Sequence, residues 1–208
     1  MYWYHYLSLI AALIFSSSMG YHFYRLIAMG KPKDFAKPAG EIAPAVLYSF
    51  TGAMSPAKKE SAYQHLPTYT AGLLYHLGSF TVIILWILFW FKDIHHETLR
   101  IILSIALIIT AGCGFAILIK RSVKQELREL SNPDDYLSNF LVSFFQLISA
   151  LFLFFPEIEP IYYPTAALLL MYFPLGKLKH ALYFFAARYH LGFFFGRRGI
   201  WPPSRFMP

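Results

Sequence analysis

The sequence contains little charge and almost no cysteine. Of its 208 residues, 14% are charged and 11 are acidic, whereas water-soluble domains carry about 25% charged residues. This scarcity excludes an ordinary soluble enzyme and a disordered tail. Cys113 is the single cysteine, which excludes disulfide bonds within the chain and a zinc or iron–sulfur site built from its own cysteines.

The chain also lacks the short motifs of common catalytic sites. It has no G-x-x-x-x-G-K-[ST] phosphate loop, no H-E-x-x-H zinc helix and no G-x-S-x-G nucleophile turn. An internal repeat and a constellation for acid–base or nucleophilic catalysis are absent as well. We therefore expect a function in which no protein side chain makes or breaks a covalent bond in a substrate.

Apolar residues dominate what is present. They make up 57% of the chain, and the mean hydropathy is +0.48. Five stretches are long enough to cross a hydrocarbon core of about 30 Å, at residues 2–27, 66–91, 99–119, 137–155 and 161–185. We predict an all-α integral membrane bundle of five transmembrane helices, forming one domain over residues 1–208. The first stretch lacks a basic residue before its apolar core, so we expect it to stay as a helix.

The basic residues predict the orientation of this bundle, because lysine and arginine concentrate on the cytoplasmic side. They lie mainly in the loop at 29–65, in the loop after the third stretch and in the tail at 190–208. Those near the stretch ends are Lys31, Lys33, Lys37, Lys58, Lys59, Lys120, Arg121, Lys124, Arg128, Arg188, Arg197, Arg198 and Arg205. We predict an external N-terminus and a cytoplasmic C-terminus. This placement accounts for the net charge of +7 without nucleic-acid binding.

Six of the eight histidines lie in loops or near the ends of the apolar stretches, where a solvated or interfacial histidine is expected. They are His5, His22, His65, His95, His96 and His190. The other two, His76 and His180, lie inside the second stretch and at the inner end of the fifth. An ionisable side chain within a membrane span is costly and marks a functional hypothesis.

His76 and His180 both fall in the predicted cytoplasmic half of the bilayer. Two imidazoles that face each other from different helices can supply the axial ligands of a b-type haem. Gly72 and Gly78 would let the flat macrocycle approach the helix. Candidate partners for its propionates, or for a quinone, are Arg25, Lys120 and Arg121, with Lys177 and Arg188 also available. Two histidines that hydrogen-bond between helices remain the alternative.

The chain resembles the membrane cytochrome b subunits of the respiratory nitrate reductase gamma family, including those of heterodisulfide-reductase-like and sulfite-reductase-linked complexes. Residues 74–78 (LYHLG) and 173–180 (FPLGKLKH) are similar to its first and last ligand motifs. Residues 117–121 and 132–135 are similar to the basic end of its third helix and the turn into its fourth. Residues 49–61 resemble, more weakly, the segment before helix 2 in the heterodisulfide-reductase-like branch.

The chain departs from the two-haem members of this family at two positions. Those members carry a second histidine on helix 2 and another on helix 5, where this sequence has Trp86 and Tyr162. The resemblance therefore implies one haem b near the cytoplasmic face and the loss of the outer haem. The family's outer quinol site is in doubt for the same reason.

The resemblance implies an electron-transfer subunit in the cytoplasmic membrane of a prokaryote, rather than an enzyme acting alone. Its partners would be membrane quinone, a cytoplasmic iron–sulfur subunit and further membrane subunits. An inner quinone site is favoured, and Lys92, His95 and His96 are the outer candidates. A haem-free anchor that recruits a redox complex through residues 29–65 and 196–208 remains the alternative. A transporter is disfavoured because the stretches lack interior carboxylates.

Overall fold

A computed structural model describes residues 1–30, 34–58 and 65–203, and this part of the chain is helical without strands. Its α-helices are α1 (Trp3–Ala28), α2 (Ile42–Phe50), α3 (Leu66–Leu88), α4 (Glu97–Val123), α5 (Gln125–Glu129), α6 (Pro133–Phe152), α7 (Glu159–Tyr172) and α8 (His180–Arg197). Four basic residues used for the predicted orientation, Lys31, Lys33, Lys59 and Arg205, lie outside the described residues, as do residues 59–61 of the weaker resemblance.

Four helices, α1, α3, α4 and α6, are long and apolar enough to cross a membrane. They coincide within a few residues with the first four predicted stretches. The start of α6 has the sequence features of a helix N-terminus. Asn132 and Asp135 form a capping box, and Pro133 occupies the first turn, where its missing N–H has no cost. Four helices of this length and composition are compatible with a multi-pass membrane protein.

The fifth predicted stretch is not one helix. It is divided between α7, whose 14 residues extend about 21 Å, and α8, with turns and a short 3₁₀ segment at Lys177–Lys179 between them. Pro174 and Gly176 lie in this break. Proline and glycine disfavour a continuing helix, and a hydropathy profile does not register them as breaks. The fifth span is therefore not confirmed.

The chain divides into two compact units. The first unit comprises Met1–Ser18 and Pro67–Leu178, and the second comprises Met19–Leu66 and Lys179–Pro208. Helix α1 thus contributes its first part to the first unit and its remainder to the second. The description of residues 1–208 as one domain stays a prediction.

The helices of the first unit alternate in direction, as the contacts at their ends show. At one end, Tyr4 near the start of α1 donates its hydroxyl to Glu159 at the start of α7, over 3.0 Å. The end of α6 lies at this same end of the unit, because a short connection joins it to the start of α7. There, Arg100 at the start of α4 donates to the carbonyl of Leu153.

The opposite end of the first unit is built around Asp135. Lys120 at the end of α4 donates to Thr68 at the start of α3, and Arg121 lies 3.7 Å from the Asp135 carboxylate at the start of α6. Lys177, beyond the end of α7, donates to the same carboxylate. Basic side chains thus gather at this Asp135 end, on helices that run in alternating directions.

Small residues allow α4 and α6 to pack closely at the centre of the first unit. The buried residues of α4 are Ser104, Leu107, Thr110, Ala111 and Gly114. Gly114 faces Ser143 and Tyr75 so closely that a Cβ would clash with both side chains. Close backbone approach at small residues is a common way to pack helices in lipid, where burial of apolar surface contributes little to association.

The second unit contains a helix pair that the sequence analysis did not predict. The apolar segment within the 29–65 loop forms α2, which packs against α8. A Cβ on Gly192 would lie 2.5 Å from the Cα of Val46, and one on Gly196 would lie 2.6 Å from the Cβ of Ala45. Gly192 and Gly196 have the G-x-x-x-G spacing of closely packed membrane helices, so this part of the loop is folded onto the tail.

Candidate functional site

His76 lies near the middle of α3, and its side chain is exposed in the first unit. The ring of the neighbouring Tyr75 points to the core, where its hydroxyl lies 3.5 Å from the carbonyl of Asn139. Gly72, one turn before His76, borders open space, because an added Cβ would meet no atom within 4 Å. The face of α3 that carries Gly72 and His76 is thus turned away from the packed helices.

The expectation that Gly78 also opens a path for a macrocycle is wrong. A Cβ at this position would lie 2.6 Å from Thr110 Cβ and 2.7 Å from Gln146 Oε1. Gly78 is buried and lies two residues, about 200° of helix rotation, beyond His76. Its function is close packing against α4 and α6, and Gly72 alone has the expected open surface.

His180 is the first residue of α8, directly after the break in the chain, and its side chain is exposed. One turn later, the hydroxyl of Tyr183 lies 2.9 Å from Nδ1 of His22. These three residues belong to the second unit, whereas His76 belongs to the first. The structure thus places both predicted ligands on exposed helix surfaces, and their pairing stays a prediction.

The three candidate cations differ in what they contact. Arg25 is exposed and lies 5.9 Å from the centroid of the Tyr21 ring. Lys120 donates to Thr68, and Arg121 donates to the hydroxyl of Ser131 over 2.8 Å. Arg121 is also the residue that approaches Asp135, so part of its charge is already balanced by a carboxylate.

Lys177 and Arg188, the two further candidates, are both engaged within the protein. Lys177 donates to Asp135 Oδ1. Arg188 donates to the carbonyl of Ser49, whose hydroxyl donates in turn to the Arg188 carbonyl over 2.7 Å. These contacts hold helix ends in the first unit and hold α2 against α8 in the second, so both side chains have a structural function.

A buried carboxamide lies on the core side of α3. Gln146 is completely buried, and its Nε2 donates to the carbonyl of Tyr75 over 3.0 Å and to the hydroxyl of Ser79 over 3.1 Å. Its Oε1 has no hydrogen-bond partner among the described residues. An unpaired buried acceptor costs about 1–3 kcal/mol of folding free energy. The two hydrogen bonds that Gln146 donates oppose this cost.

This polar core was not predicted from the sequence, although α6 carries a signal for it. Polar residues recur there at helical spacing within an apolar stretch, at Ser138, Asn139, Ser143, Gln146 and Ser149. Residues three and four apart lie on one helix face, so the pattern predicts a polar stripe directed at neighbouring helices. Attention to charged and histidine side chains alone left it unnoticed.

Trp86 and Tyr162, the two positions at which the sequence departs from the two-haem cytochromes that it resembles, are packed against other side chains. Trp86 donates its indole N–H to the hydroxyl of Ser8 over 3.1 Å. Tyr162 is completely buried and stacks on Phe152 with ring centroids 4.4 Å apart. Each of these two side chains thus contributes to the packing of the first unit.

His5, for which a solvated or interfacial position was expected, is engaged within the first unit. Its Nε2 lies 2.8 Å from Glu159 Oε1, and its side chain is 12% exposed. The ring packs on Tyr163, with centroids 4.5 Å apart. The outer quinone candidates are different, since Lys92, His95 and His96 are all exposed, and so are His65 and His190.

An ion pair fastens the start of the folded loop in the second unit. Arg198 Nη1 lies 2.6 Å from Asp34 Oδ2, and the Ala36 N–H donates to the same carboxylate. The Arg198 contact, together with the Ala36 N–H, lowers the pKa of Asp34 below its ordinary value. Arg197 donates to the carbonyl of Ala36 over 2.7 Å, so two neighbouring arginines hold this segment to the end of α8.

Within the described residues, no three or more His, Cys, Asp or Glu side chains are grouped to hold a metal ion. A b-type haem needs only two axial side chains, so this finding does not bear on it. Comparisons of the chain with protein families, with curated proteins and with solved structures found no match.

Proposed function

We propose that this protein is the membrane-anchoring b-type cytochrome subunit of a respiratory oxidoreductase complex. It would pass electrons between the quinone pool and a cytoplasmic iron–sulfur partner through one haem b held by His76 and His180. The observation that carries the proposal is the position of His76, exposed in the middle of a helix of membrane-spanning length, on the face that has open space at Gly72. A haem in this position would supply a one-electron iron centre.

Different residues of the chain would have different functions at such a site. Each neutral imidazole would provide one ring nitrogen to the iron, and the other nitrogen would need an acceptor that sets the ring's orientation. The apolar surface of α3 around His76, including Leu73 and Leu77, which are both exposed, excludes water from the site. Arg25 and Lys120 are the cations best suited to an anionic group, because Arg121 is already close to Asp135.

The same cations support an inner quinone site in this proposal. Lysine and arginine side chains donate hydrogen bonds to a quinone oxygen, and they can stabilise the negative charge that develops there on reduction. The basic Asp135 end of the first unit, with Lys120, Arg121 and Lys177, would then be the cytoplasmic end, below a docked iron–sulfur subunit. The N-terminus would lie outside the inner membrane of a prokaryote.

The test is the visible spectrum of the full chain purified with its partner subunits. We expect a reduced-minus-oxidised b-type band that is lost in His76→Ala and in His180→Ala. His190→Ala, which removes another exposed histidine of α8, is the matched control and should keep the band. The absence of a band in the assembled wild-type complex would contradict the proposal and favour the haem-free anchor.

Two measurements on the same preparation define the proposal further. Haem extraction should give one haem per chain, and a value of two would contradict the assignment of a single pair of ligands. Identification of the copurifying subunits should reveal a protein with iron–sulfur clusters. A complex without such a subunit would contradict the proposed partner.

A further inference from the structure

The contact between α3 and α6 lies directly beside the proposed ligand. The Tyr75 carbonyl, one residue before His76, accepts from Gln146 Nε2 and from the Ser79 hydroxyl, over 3.0 Å and 2.8 Å. Gln146 Nε2 also donates to the Ser79 hydroxyl. Three polar groups on two helices therefore form one closed set of hydrogen bonds around a single backbone carbonyl, which we call the Tyr75 hub.

The rotation of α3 about its own axis is restricted at this point. Gly78 leaves no room for even a Cβ against Thr110 and Gln146, and the Tyr75 hub fixes the neighbouring turn. His76 follows Tyr75 by one residue, or about 100° around the helix. A rotation of α3 would therefore break the hub and change the direction of the His76 ring together.

Packing alone does not account for a glutamine at residue 146. The other large buried residues of α6 are apolar, namely Leu141, Val142, Phe145 and Ile148, and methionine would fill a similar volume. A carboxamide in an apolar span is costly to insert, and one end of this one has no partner among the described residues. Methionine could not donate the hydrogen bonds that Gln146 donates to α3.

We infer that Gln146 is a positioning residue for His76. Through the Tyr75 hub it sets the rotation of α3, and thereby the direction in which the His76 imidazole leaves the helix. The axial-ligand part of this inference rests on the proposed function. The rotational part concerns only α3 and α6 and holds whether or not a haem is bound.

The first test uses the complete complex and the low-temperature EPR signal of the oxidised haem, because that signal depends on the orientation of the two imidazole planes. We expect Gln146→Met and Ser79→Ala to retain the haem and to shift the low-field feature and the reduction potential. Ser149→Ala is the matched control, since Ser149 is also buried on α6 but donates to the Phe145 carbonyl of its own helix rather than to α3. Wild-type signals in both hub variants would overturn the inference.

The second test does not need haem. In the His76→Cys, Cys113→Ser double variant of the full chain, the labelling rate of the cysteine by a membrane-permeant maleimide reports the direction of this side chain. We expect Gln146→Met to change that rate severalfold, Gln146→Asn to change it less, and Ser149→Ala to leave it unchanged. An unchanged rate in Gln146→Met would overturn the inference. A changed rate, together with a wild-type complex that lacks the b-type band, would support the positioning role and contradict the proposed function.

Discussion

The two units hold their helices together by different means. In the first unit, buried hydroxyl and carboxamide groups link α3, α4 and α6, and the packed glycines Gly78 and Gly114 face side chains. In the second unit, the glycines of α8 face the backbone of α2. Side chains can rotate to admit an extra atom, whereas a backbone moves only with its whole helix. The first unit should therefore tolerate small changes that the second does not.

The largest effect is expected at the backbone contact of the second unit. Gly192→Ala places a Cβ 2.5 Å from Val46 Cα, and α2 must move away. Overpacking costs about 1–3 kcal/mol, and a backbone contact should lie at the upper end. Limited proteolysis by chymotrypsin in detergent after Tyr48 and Phe50 of α2, whose rings pack on Trp201 and Phe185, should then accelerate about 100-fold if cleavage follows the open population.

Gly20→Ala is the control for this experiment, since Gly20 lies in the helical part of the same unit and an added Cβ meets no atom within 4 Å. It should leave the cleavage rate close to that of the wild type. Equal rates in Gly192→Ala and in the wild type would show that the α2–α8 contact accommodates an added methyl group at little cost. The two units would then not differ in their tolerance of such a change.

A smaller effect is expected at the corresponding glycine of the first unit. Gly78→Ala meets Thr110 and Gln146. The Thr110 hydroxyl and the Gln146 carboxamide can rotate away, whereas Thr110 Cβ can move only with its helix, and we expect a cost of about 1–2 kcal/mol, within the range for overpacking. The expected decrease in Tm is about 2–4 °C per kcal/mol. A thiol-reactive fluorophore can measure it, because Cys113 is the single thiol and is partly buried in this unit.

Gly72→Ala provides the contrast on the same helix. Its Cβ would meet open space, and replacement of glycine by alanine within a helix stabilises by about 0.5–1 kcal/mol. The Tm should therefore stay constant or rise slightly. A Gly78→Ala protein that melts with or above the Gly72→Ala protein would contradict the close packing at Gly78.

The hydrogen bond between Trp86 and Ser8 should have an effect near 1 kcal/mol in the same assay, as is typical of a single hydrogen bond. Trp86→Phe removes the donor and keeps an aromatic ring. Trp90→Phe is the control, because Trp90 Nε1 is buried and has no partner among the described residues, so its removal should cost less. A larger decrease in Tm in Trp90→Phe than in Trp86→Phe would contradict the assignment of the stabilising hydrogen bond to Trp86.

The smallest effect concerns the Asp34–Arg198 pair and depends on pH. Because the folded pKa of Asp34 is lowered, the pair stabilises the attached segment above the unfolded pKa of about 3.9, and this contribution is lost as the pH falls through the folded value. Hydrogen exchange of the Ala39 amide, which donates to the Arg197 carbonyl over 2.7 Å, should therefore gain an acid-dependent component. Asp34→Asn should lack that component, and its persistence in this variant would assign it to another group.

Hydropathy predicted the four long helices well, because length and apolar content are local properties of the sequence. It placed the second stretch at 66–91, and α3 is Leu66–Leu88. It failed at residues 173–179, because apolar residues continue across a break that depends on Pro174 and Gly176. It also left the residues of α2 within the loop at 29–65, since a nine-residue helix such as α2 gains its stability from packing against α8, which lies far away in the sequence.

The candidate site shows the same limit. The sequence predicted that His76 lies inside a membrane-length helix, and the structure confirms this position. It did not predict which glycine beside His76 is open, because that depends on which face of α3 meets α4 and α6. Gln146 was missed for a related reason, since its partners lie 71 and 67 residues away along the chain.

The charged contact at Asp135 also has a consequence for how the protein is made. Arg121 and Asp135 leave the ribosome close together in time, whereas Lys177 follows Asp135 by 42 residues. At about 5–20 residues per second, this interval is about 2–8 s. During this time α6 already has its cap and one cation. The arrival of Lys177 then completes the contact, so the end of α7 is joined to the start of α6 only after the earlier helices of the first unit have been synthesised.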